Sequence, residues 1–322
     1  MRYVEVGGAR VSVLGLGCWQ FGSREWGYGR SYAEDEAGKI VGRSLDLGIN
    51  LIDTAEIYAF GQSERIVGRA IAGRRSEAFL ATKVFPVLPL GPVVHQRGRA
   101  SARRLGVDSI DLYQIHQPNP TVPLRMQMGG MRRLVDEGVV RHVGVSNFTL
   151  DRWVEAEAAF GGAVLSNQVQ FSLVRRDPLT DLVPWAQDHG RLVIAYSPLG
   201  QGLLSARYDA TNPPQGGIRA MNPHFLPENL ARAHDLLGAL RDISKAHDAT
   251  PAQIALAWVI RRPNTVAIPG ASSVEQVERN AAAAEIDLSE EQDQQLTAAA
   301  EAYRPVAGAS ALPRLLRRRL PF

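Results

Sequence analysis

The stretch Asn50-Leu-Ile-Asp-Thr-Ala-Glu-Ile-Tyr58 begins as a short apolar strand candidate, ends that strand at Asp53 and passes into a loop carrying Tyr58. Apolar runs that close on a polar side chain recur downstream at Lys83 and at His116. Each side chain alone has an ordinary structural explanation, such as a helix N-cap for Asp53. Together they predict a carboxylate, a phenol, an ammonium and an imidazole at the ends of three successive strands.

The same alternation of apolar runs and amphipathic segments continues along the chain and predicts a parallel sheet covered by helices. Strands are predicted at 13–16, 50–53, 78–84, 110–116, 140–145, 165–171, 192–196 and 265–268. Helices are predicted near 34–47, 62–73, 92–105, 123–137, 149–160, 178–189, 228–247 and 273–283. Eight such units favour an α/β fold of the closed (β/α)8 TIM barrel type over an open doubly wound sheet.

The two ends of the chain lie outside this repeat. Residues 3–6 and 9–13 flank Gly7-Gly8 and predict an N-terminal β-hairpin at the bottom of the barrel. A capping-box pattern predicts an extra C-terminal helix over 289–302. We expect residues 1–322 to form a single domain, with an irregular and basic tail at 304–322.

The charge balance argues against a nucleic-acid partner, because the net charge of +3 is concentrated in the tail. Its four arginines are Arg314, Arg317, Arg318 and Arg319, and we interpret them as a solvated tail. No apolar run is long enough to cross a membrane, and no signal peptide is recognisable. The lone Cys18 excludes an intrachain disulfide, so we expect a cytoplasmic protein. No metal-ligand spacing is found among the histidines, and no metal is expected.

The four polar side chains at the strand ends are suited to carbonyl reduction. In a (β/α)8 barrel the carboxyl ends of the strands meet at one mouth, so we expect the four to face one another. Reduction of a carbonyl requires a hydride at carbon and a proton at oxygen. Tyr58 has an ordinary pKa near 10, and we expect Lys83, held charged by Asp53, to lower it. His116 is expected to orient the carbonyl or relay the proton.

From about residue 10 to residue 300 the chain resembles the aldo-keto reductase family. The resemblance is carried by Asp53-Thr-Ala-Glu-Ile-Tyr58, Ser63-Glu64, Gly68, Ala81-Thr-Lys83, Asp111-Leu-Tyr-Gln-Ile-His116, Val143-Gly-Val-Ser-Asn-Phe148, Asn167-Gln168, Tyr196-Ser-Pro-Leu-Gly200 and Ile268-Pro-Gly270. It implies a barrel enzyme that reduces aldehydes and ketones with NADPH, or less often with NADH. It also implies that Asp53, Tyr58, Lys83 and His116 are catalytic, with Tyr58 as the general acid.

No Gly-x-Gly-x-x-Gly fingerprint of a Rossmann fold is found where it would be most expected, after the first strand. Barrels often bind phosphate near strands 7 and 8 instead, where this chain has a glycine-rich loop and a helix start. The resemblance implies that Ser146, Asn147 and Gln168 hold the carboxamide and that Tyr196 stacks on the nicotinamide ring. It places the rest of the cofactor against Ser197, Pro198, Leu199, Gly200, Gly202, Arg207, Ile268, Gly270, Ser272, Gln276 and Asn280.

Two residues, Glu275 and Arg279, bear on the choice between NADPH and NADH. Glu275 lies in a stretch where NADPH-selective relatives often carry a lysine or arginine, whereas Arg279 stands where a glutamate is frequent. We favour NADPH and keep NADH as the alternative.

The aromatic loop after the first strand predicts a wall for a small-molecule carbonyl substrate, formed by Trp19, Trp26 and Tyr28. The sequence does not identify that substrate or the oligomeric state. Two other functions remain open, an NAD-linked sugar or polyol dehydrogenase and a cofactor-binding regulatory subunit without significant turnover. The presence of all four polar side chains favours an enzyme.

Overall fold

The protein is described here by a computed structural model that covers residues 1–23, 28–29, 34–214, 219 and 221–317. In this part of the chain, eight parallel strands follow one another in sequence order around a barrel. They are β3 Leu16–Gly17, β4 Leu51–Asp53, β5 Phe79–Val84, β6 Ile110–Ile115, β7 Val140–Ser146, β8 Ser166–Gln170, β9 Leu192–Tyr196 and β10 Thr265–Ile268. Most of these strands are buried along their whole length, as expected where helices cover a parallel sheet.

The barrel closes between its first and last strands. Leu14 bridges Ala267 and Gly17 bridges Gly270, both in parallel register. Closure needs a glycine at position 17, because a Cβ there would lie 2.8 Å from the backbone oxygen of Ile268. The predicted (β/α)8 barrel is therefore confirmed, although the regular part of its first strand lies at Leu16–Gly17 and not at 13–16.

The predicted hairpin is also confirmed. β1 Tyr3–Val6 and β2 Ala9–Ser12 pair antiparallel, and the turn between them has positive φ at Gly7 and Gly8. Its buried side chains Val6, Ala9 and Val11 belong to one apolar cluster with side chains from the barrel strands. The hairpin therefore packs onto the interior of the barrel from below.

Helices connect the strands and cover the sheet. They are α1 Glu34–Asp46, α2 Gln62–Ala70, α3 Gly91–Leu105, α4 Leu124–Asp136, α5 Leu150–Phe160, α6 Leu182–Asp188, α7 Pro227–Arg232, α8 His234–Ala246, α9 Pro251–Ile260, α10 Val274–Ala282, α11 Glu290–Ala302 and α12 Leu312–Arg317. The extra helix α11 begins with the predicted capping box of Ser289 and Gln292. None of the helices in the described ranges has the length and apolar character needed to cross a bilayer.

The helices before β10 differ from the prediction. The segment predicted as one helix near 228–247 is two helices, α7 and α8, which meet at Ala233. The helix that leads directly into β10 is α9, which the sequence pattern did not reveal. Seven of its ten residues, from Ile254 to Ile260, are buried, so it lacks the polar face that creates a helical period.

The C-terminal tail was expected to be irregular, and for residues 308–317 that prediction is wrong. A 3₁₀ turn at Gly308–Ala311 leads into α12, and Ala311 and Leu315 pack against Leu226. Arg314 also pairs with Glu228 at 3.1 Å, so this arginine is bound to the body of the protein. Arg318 and Arg319 lie outside the described residues.

Candidate active site

The carboxyl ends of the strands surround a cleft of about 1440 Å³. Asp53, Tyr58 and His116 line one side of it, and the loops after β9 and β10 line the other. Lys83 lies behind Asp53 and Tyr58 and is completely buried. The structure thus brings together the four side chains that were predicted from three separate strand ends.

Lys83 is the centre of this group. Its ammonium donates to Asp53 Oδ1 at 2.5 Å, to the backbone oxygen of Thr54 at 3.0 Å and to the Tyr58 hydroxyl oxygen at 3.3 Å. Because the ammonium donates to the phenol oxygen, the hydrogen of the phenol is directed elsewhere. β4 supplies Asp53, β5 supplies Lys83, and the loop after β4 supplies Tyr58.

The pKa of Tyr58 beside Lys83 differs from the prediction. Burial disfavours the charged form of Lys83, but the Asp53 carboxylate and the Tyr58 oxygen outweigh burial and raise the pKa of Lys83. Burial also raises the pKa of Tyr58, and the opposing effect of Lys83 does not overcome it. The expectation that Lys83 lowers the pKa of Tyr58 below its usual value is therefore wrong for this structure, because the effect of burying part of the phenol exceeds that of the ammonium.

His116 faces the phenol edge-on, with ring centroids 5.7 Å apart. Its ring also contacts Phe85 edge-to-face at 5.9 Å. Burial, with help from the nearby Lys83 charge, lowers the pKa of His116 to about 3. The imidazole is consequently neutral at physiological pH. Its Nδ1 is buried without a hydrogen-bond partner among the described residues.

The residues predicted to hold a carboxamide form a hydrogen-bonded group next to Asp53. The Gln168 side-chain nitrogen donates to Asp53 Oδ2 at 2.8 Å, so both carboxylate oxygens of Asp53 are engaged. Ser146 Oγ donates to the backbone oxygen of Gln168 at 2.8 Å. The Tyr196 hydroxyl donates to Asn147 Oδ1 at 2.9 Å, and Asn147 Nδ2 donates to the backbone oxygen of His116 at 3.2 Å. The sequence did not reveal the contact between Gln168 and Asp53.

The far end of the cleft is cationic. Arg207, Arg219 and Arg279 line it. Arg207 was predicted there, Arg279 was considered only in the choice between NADPH and NADH, and Arg219 was not predicted. Gln201 and Gly202, in the turn after β9, have positive φ, and the Gln201 carbonyl accepts a hydrogen bond from Arg219 Nε at 2.9 Å. At the start of α10, the Gln276 side chain accepts from the backbone nitrogen of Ser272 at 2.9 Å. The start of α10 and the guanidinium groups of Arg207 and Arg219 provide donors suited to phosphate oxygens. Arg279 lies in the last turn of α10 and pairs with Glu275 at 3.3 Å.

Nearly all the predicted cofactor residues line this cleft. They are Ser146, Asn147, Gln168, Tyr196, Ser197, Pro198, Leu199, Gly202, Arg207, Ile268, Gly270, Ser272, Gln276 and Asn280. Gly200 differs, because it is buried and does not line the cleft, and a Cβ there would lie 3.1 Å from the side chain of Val174.

The predicted substrate residues are only partly brought to the cleft. Trp19 lines it, is 44% exposed and lies 6.5 Å from the Tyr58 ring. Tyr28 instead packs, partly buried, against the large hydrophobic core of the protein. Trp26 lies outside the described residues. Ile57 and Phe60 line the cleft without having been predicted. Ile57 lies within the stretch that the sequence singled out, and Phe60 follows two residues after its end at Tyr58.

No group of three or more His, Cys, Asp and Glu side chains among the described residues is arranged to hold a metal ion. The one cysteine, Cys18, is buried, and burial raises its pKa well above the usual value. Its thiol is therefore neutral and removed from solvent.

Comparison with known proteins agrees with this geometry. Residues 13–301 match the family model described as the aldo/keto reductase family. An uncharacterized oxidoreductase of Mycobacterium bovis is 55% identical, and the match covers 99% of each chain. The methylglyoxal reductase YeaE of Escherichia coli is 33% identical, with 88% of this chain and 89% of that protein covered.

A solved structure is similar over the same extent. The crystal structure of an aldo-keto reductase from Klebsiella pneumoniae in complex with NADPH has a TM-score of 0.74 and 33% sequence identity. The superposition covers 92% of this chain and 93% of that one. With a closed barrel, a Tyr–Lys–Asp–His group at its mouth and a family match over nearly the whole length, this chain belongs to the aldo/keto reductase family of oxidoreductases.

Proposed function

We propose that this protein reduces an aldehyde or ketone to an alcohol, with NADPH as the hydride donor and Tyr58 as the general acid. The observation that carries the proposal is the buried Lys83 ammonium, which lies 3.3 Å from the Tyr58 hydroxyl oxygen at the edge of the cleft. The second support is the cationic end of the same cleft, which suits a nucleotide with several phosphates.

The cleft fits a nicotinamide cofactor in the chemistry of its donors. The side chains of Ser146, Asn147 and Gln168 would hold the carboxamide, and the ring of Tyr196 would stack on the nicotinamide. Arg207 and Arg279 would face phosphate groups, and the related Klebsiella pneumoniae protein was crystallised with NADPH. When bound, NADPH supplies the hydride that the protein itself lacks.

The raised pKa of Tyr58 does not prevent it from acting as an acid. Burial keeps the proton on the phenol until a carbonyl oxygen, becoming negative, accepts it. The phenolate that remains lies beside the Lys83 ammonium. At 3.3 Å and an effective dielectric constant of about 20, their Coulomb attraction is about 5 kcal/mol. Asp53 and Thr54 keep Lys83 in place for this role.

His116 contributes as a neutral group. Because its pKa is about 3, it is not a proton-donating cation near pH 7. A neutral imidazole carries one N–H, which can hydrogen-bond to the carbonyl oxygen and orient it toward the hydride.

The substrate end of the cleft favours a carbonyl compound with an apolar group. Trp19, Ile57 and Phe60 line this end and are 44%, 40% and 96% exposed. Such exposed aromatic and aliphatic side chains gain most from covering an apolar ligand.

The test is steady-state turnover of the purified protein with NADPH and with NADH, against aromatic and aliphatic aldehydes, keto sugars and, in the reverse direction, polyols with NADP⁺ and NAD⁺. We expect reduction of aldehydes with a preference for NADPH. Polyol oxidation with NAD⁺ alone would favour the dehydrogenase alternative. Tight cofactor binding without turnover of any compound would favour a regulatory subunit and contradict our proposal.

A further inference from the structure

Behind the catalytic group, Glu56 and Arg97 join the loops that carry its members. We propose that these two side chains form a clamp that holds Tyr58 and Lys83 at their reacting distance, with Arg97 as a positioning residue. The inference rests on the proposed function, since it assigns a part in the same proton transfer. Neither side chain lines the cleft, so neither would touch a substrate.

The clamp is a two-pronged ion pair. Arg97 Nε donates to Glu56 Oε2 at 3.0 Å, and Arg97 Nη2 contacts Glu56 Oε1. Paired contacts between a guanidinium and a carboxylate fix orientation as well as distance. The side chains are 27% and 9% exposed, so water screens this pair less than an ordinary surface pair.

Both partners also bind the backbone that follows Lys83. Glu56 Oε1 accepts from the backbone nitrogen of Phe85 at 2.6 Å. Arg97 Nη1 donates to the backbone oxygens of Phe85 at 2.7 Å and of Val87 at 3.2 Å. The loop after β4 and the loop after β5 are thereby tied together, with α3 as the support because it carries Arg97.

Three of the four reacting side chains are linked to this clamp, two of them through Glu56 and one through Phe85. Glu56 precedes Tyr58 by two positions, and its backbone nitrogen donates to the Lys83 oxygen at 3.3 Å. Phe85 follows Lys83 by two positions, and its ring contacts His116. A shift of the clamp would therefore move the phenol, the ammonium and the imidazole relative to one another.

The loop that carries Tyr58 needs such support. Directly after Tyr58 the backbone has φ of 46° at Ala59 and 53° at Phe60, a conformation that costs energy for residues other than glycine. The Phe60 side chain is 96% exposed and does not anchor the loop by packing. Glu56 ties this loop to the neighbouring strand end and to α3.

The test compares Arg97→Ala and Arg97→Lys with Arg99→Ala as a matched control. Arg99 lies on the same helix, is 53% exposed and pairs with Glu137, away from the catalytic group. With NADPH and an aldehyde, we expect Arg97→Ala to lower kcat by roughly 100-fold, the size of effect that misplacement by about 1 Å produces. The Kd for NADPH should stay within about twofold, since the clamp is outside the cleft.

Two further measurements separate positioning from a general loss of structure. Millimolar ethylguanidinium should restore part of the kcat of Arg97→Ala and leave wild type and Arg99→Ala unchanged. Arg97→Lys should retain only part of the activity, because an ammonium cannot make the paired contacts that a guanidinium makes with a carboxylate. Unchanged kcat in Arg97→Ala, or a loss that is shared by NADPH affinity and is not rescued, would overturn the clamp.

A crystal structure of Arg97→Ala tests the clamp even if the wild-type protein reduces no carbonyl compound. We expect the Tyr58 hydroxyl to move out of hydrogen-bond reach of Lys83. If the distance between these atoms stays at 3.3 Å, Arg97 does not position them, whatever the activity. An inactive wild type with a displaced Tyr58 in the variant would instead contradict the proposed function and leave the clamp supported.

Discussion

Removing one member of the buried Lys83–Asp53 pair should destabilise the protein more than removing both. Lys83 and Asp53 are 0% and 2% exposed, and their charged atoms are 2.5 Å apart. In Lys83→Met the Asp53 carboxylate keeps the Gln168 amide but loses its counter-charge. Breaking such a pair typically costs about 3–5 kcal/mol, because the remaining charge is buried and uncompensated.

The corresponding change in melting temperature follows from the size of the chain. An unfolding entropy of about 2.1 cal/mol/K per residue gives about 0.7 kcal/mol/K for 322 residues. A loss of 3–5 kcal/mol then lowers Tm by about 4–7 °C. Lys83→Met and Asp53→Asn should each fall in this range. The double variant buries no charge at this position, so its free energy of unfolding should lie within about 2 kcal/mol of that of wild type.

The assay is urea unfolding of the four proteins at pH 7, followed by circular dichroism and analysed as a double-mutant cycle. If each single variant lost less than about 1 kcal/mol of unfolding free energy, the reasoning would be refuted. It would also be refuted if the two losses simply added in the double variant, because additivity means that the two charges do not interact. A stable double variant without reductase activity would indicate that the pair is retained for proton transfer and adds little to the stability of the fold.

Three further outcomes follow from the site. Tyr58→Phe should lower kcat by about 10²–10⁴, with the Kd for NADPH measured by tryptophan fluorescence unchanged and Tyr28→Phe as the control; wild-type turnover in Tyr58→Phe would exclude it as the acid. Because the pKa of His116 is about 3 when folded and near 6.5 when unfolded, its contribution to stability is complete above pH 6.5 and is lost as the pH falls toward 3. Wild type should therefore lose up to about 1.4 kcal/mol per pH unit more than His116→Gln over that range, and equal losses in urea unfolding would contradict the depressed pKa. Arg279→Glu should lower kcat/KM for NADPH relative to NADH by about 10- to 100-fold, as expected for a lost charged hydrogen bond. An unchanged ratio would show that Arg279 does not bind the phosphate group that NADPH carries and NADH lacks.

Much of the fold was predictable because each strand of the barrel is a short apolar run between clear loops. α9 was missed because it is buried on nearly all sides and has no alternation of polar and apolar positions, although the Thr250–Gln253 capping box marks its start. The helix α12 was mispredicted as irregular because its stabilising apolar contact is with Leu226, which is distant in sequence.

In the candidate site, the grouping of Asp53, Tyr58, Lys83 and His116 was predictable, but the raised pKa of Tyr58 was not. The polar strand ends identify Tyr58 and Lys83, because a barrel gathers strand ends at one mouth. The pKa of Tyr58 depends on how much water its ring loses, which only the packed structure determines. Likewise, the sequence spacing contains no information about the contact of Gln168 with Asp53 or about the Glu56–Arg97 clamp, since those partners meet only after folding.

The seam between the first and last strands of the barrel also has a consequence for synthesis of the protein. Gly15 donates to the Ala267 oxygen at 2.8 Å, and Ala267 donates to the Val13 oxygen at 2.9 Å, so the first strand waits for a partner made near the end of translation. The nascent chain therefore carries Asp53, Tyr58 and Lys83 well before it can close the cleft around a nucleotide. Chains that stop before β10 should retain no cofactor, and nucleotide retention would report that translation and closure were completed.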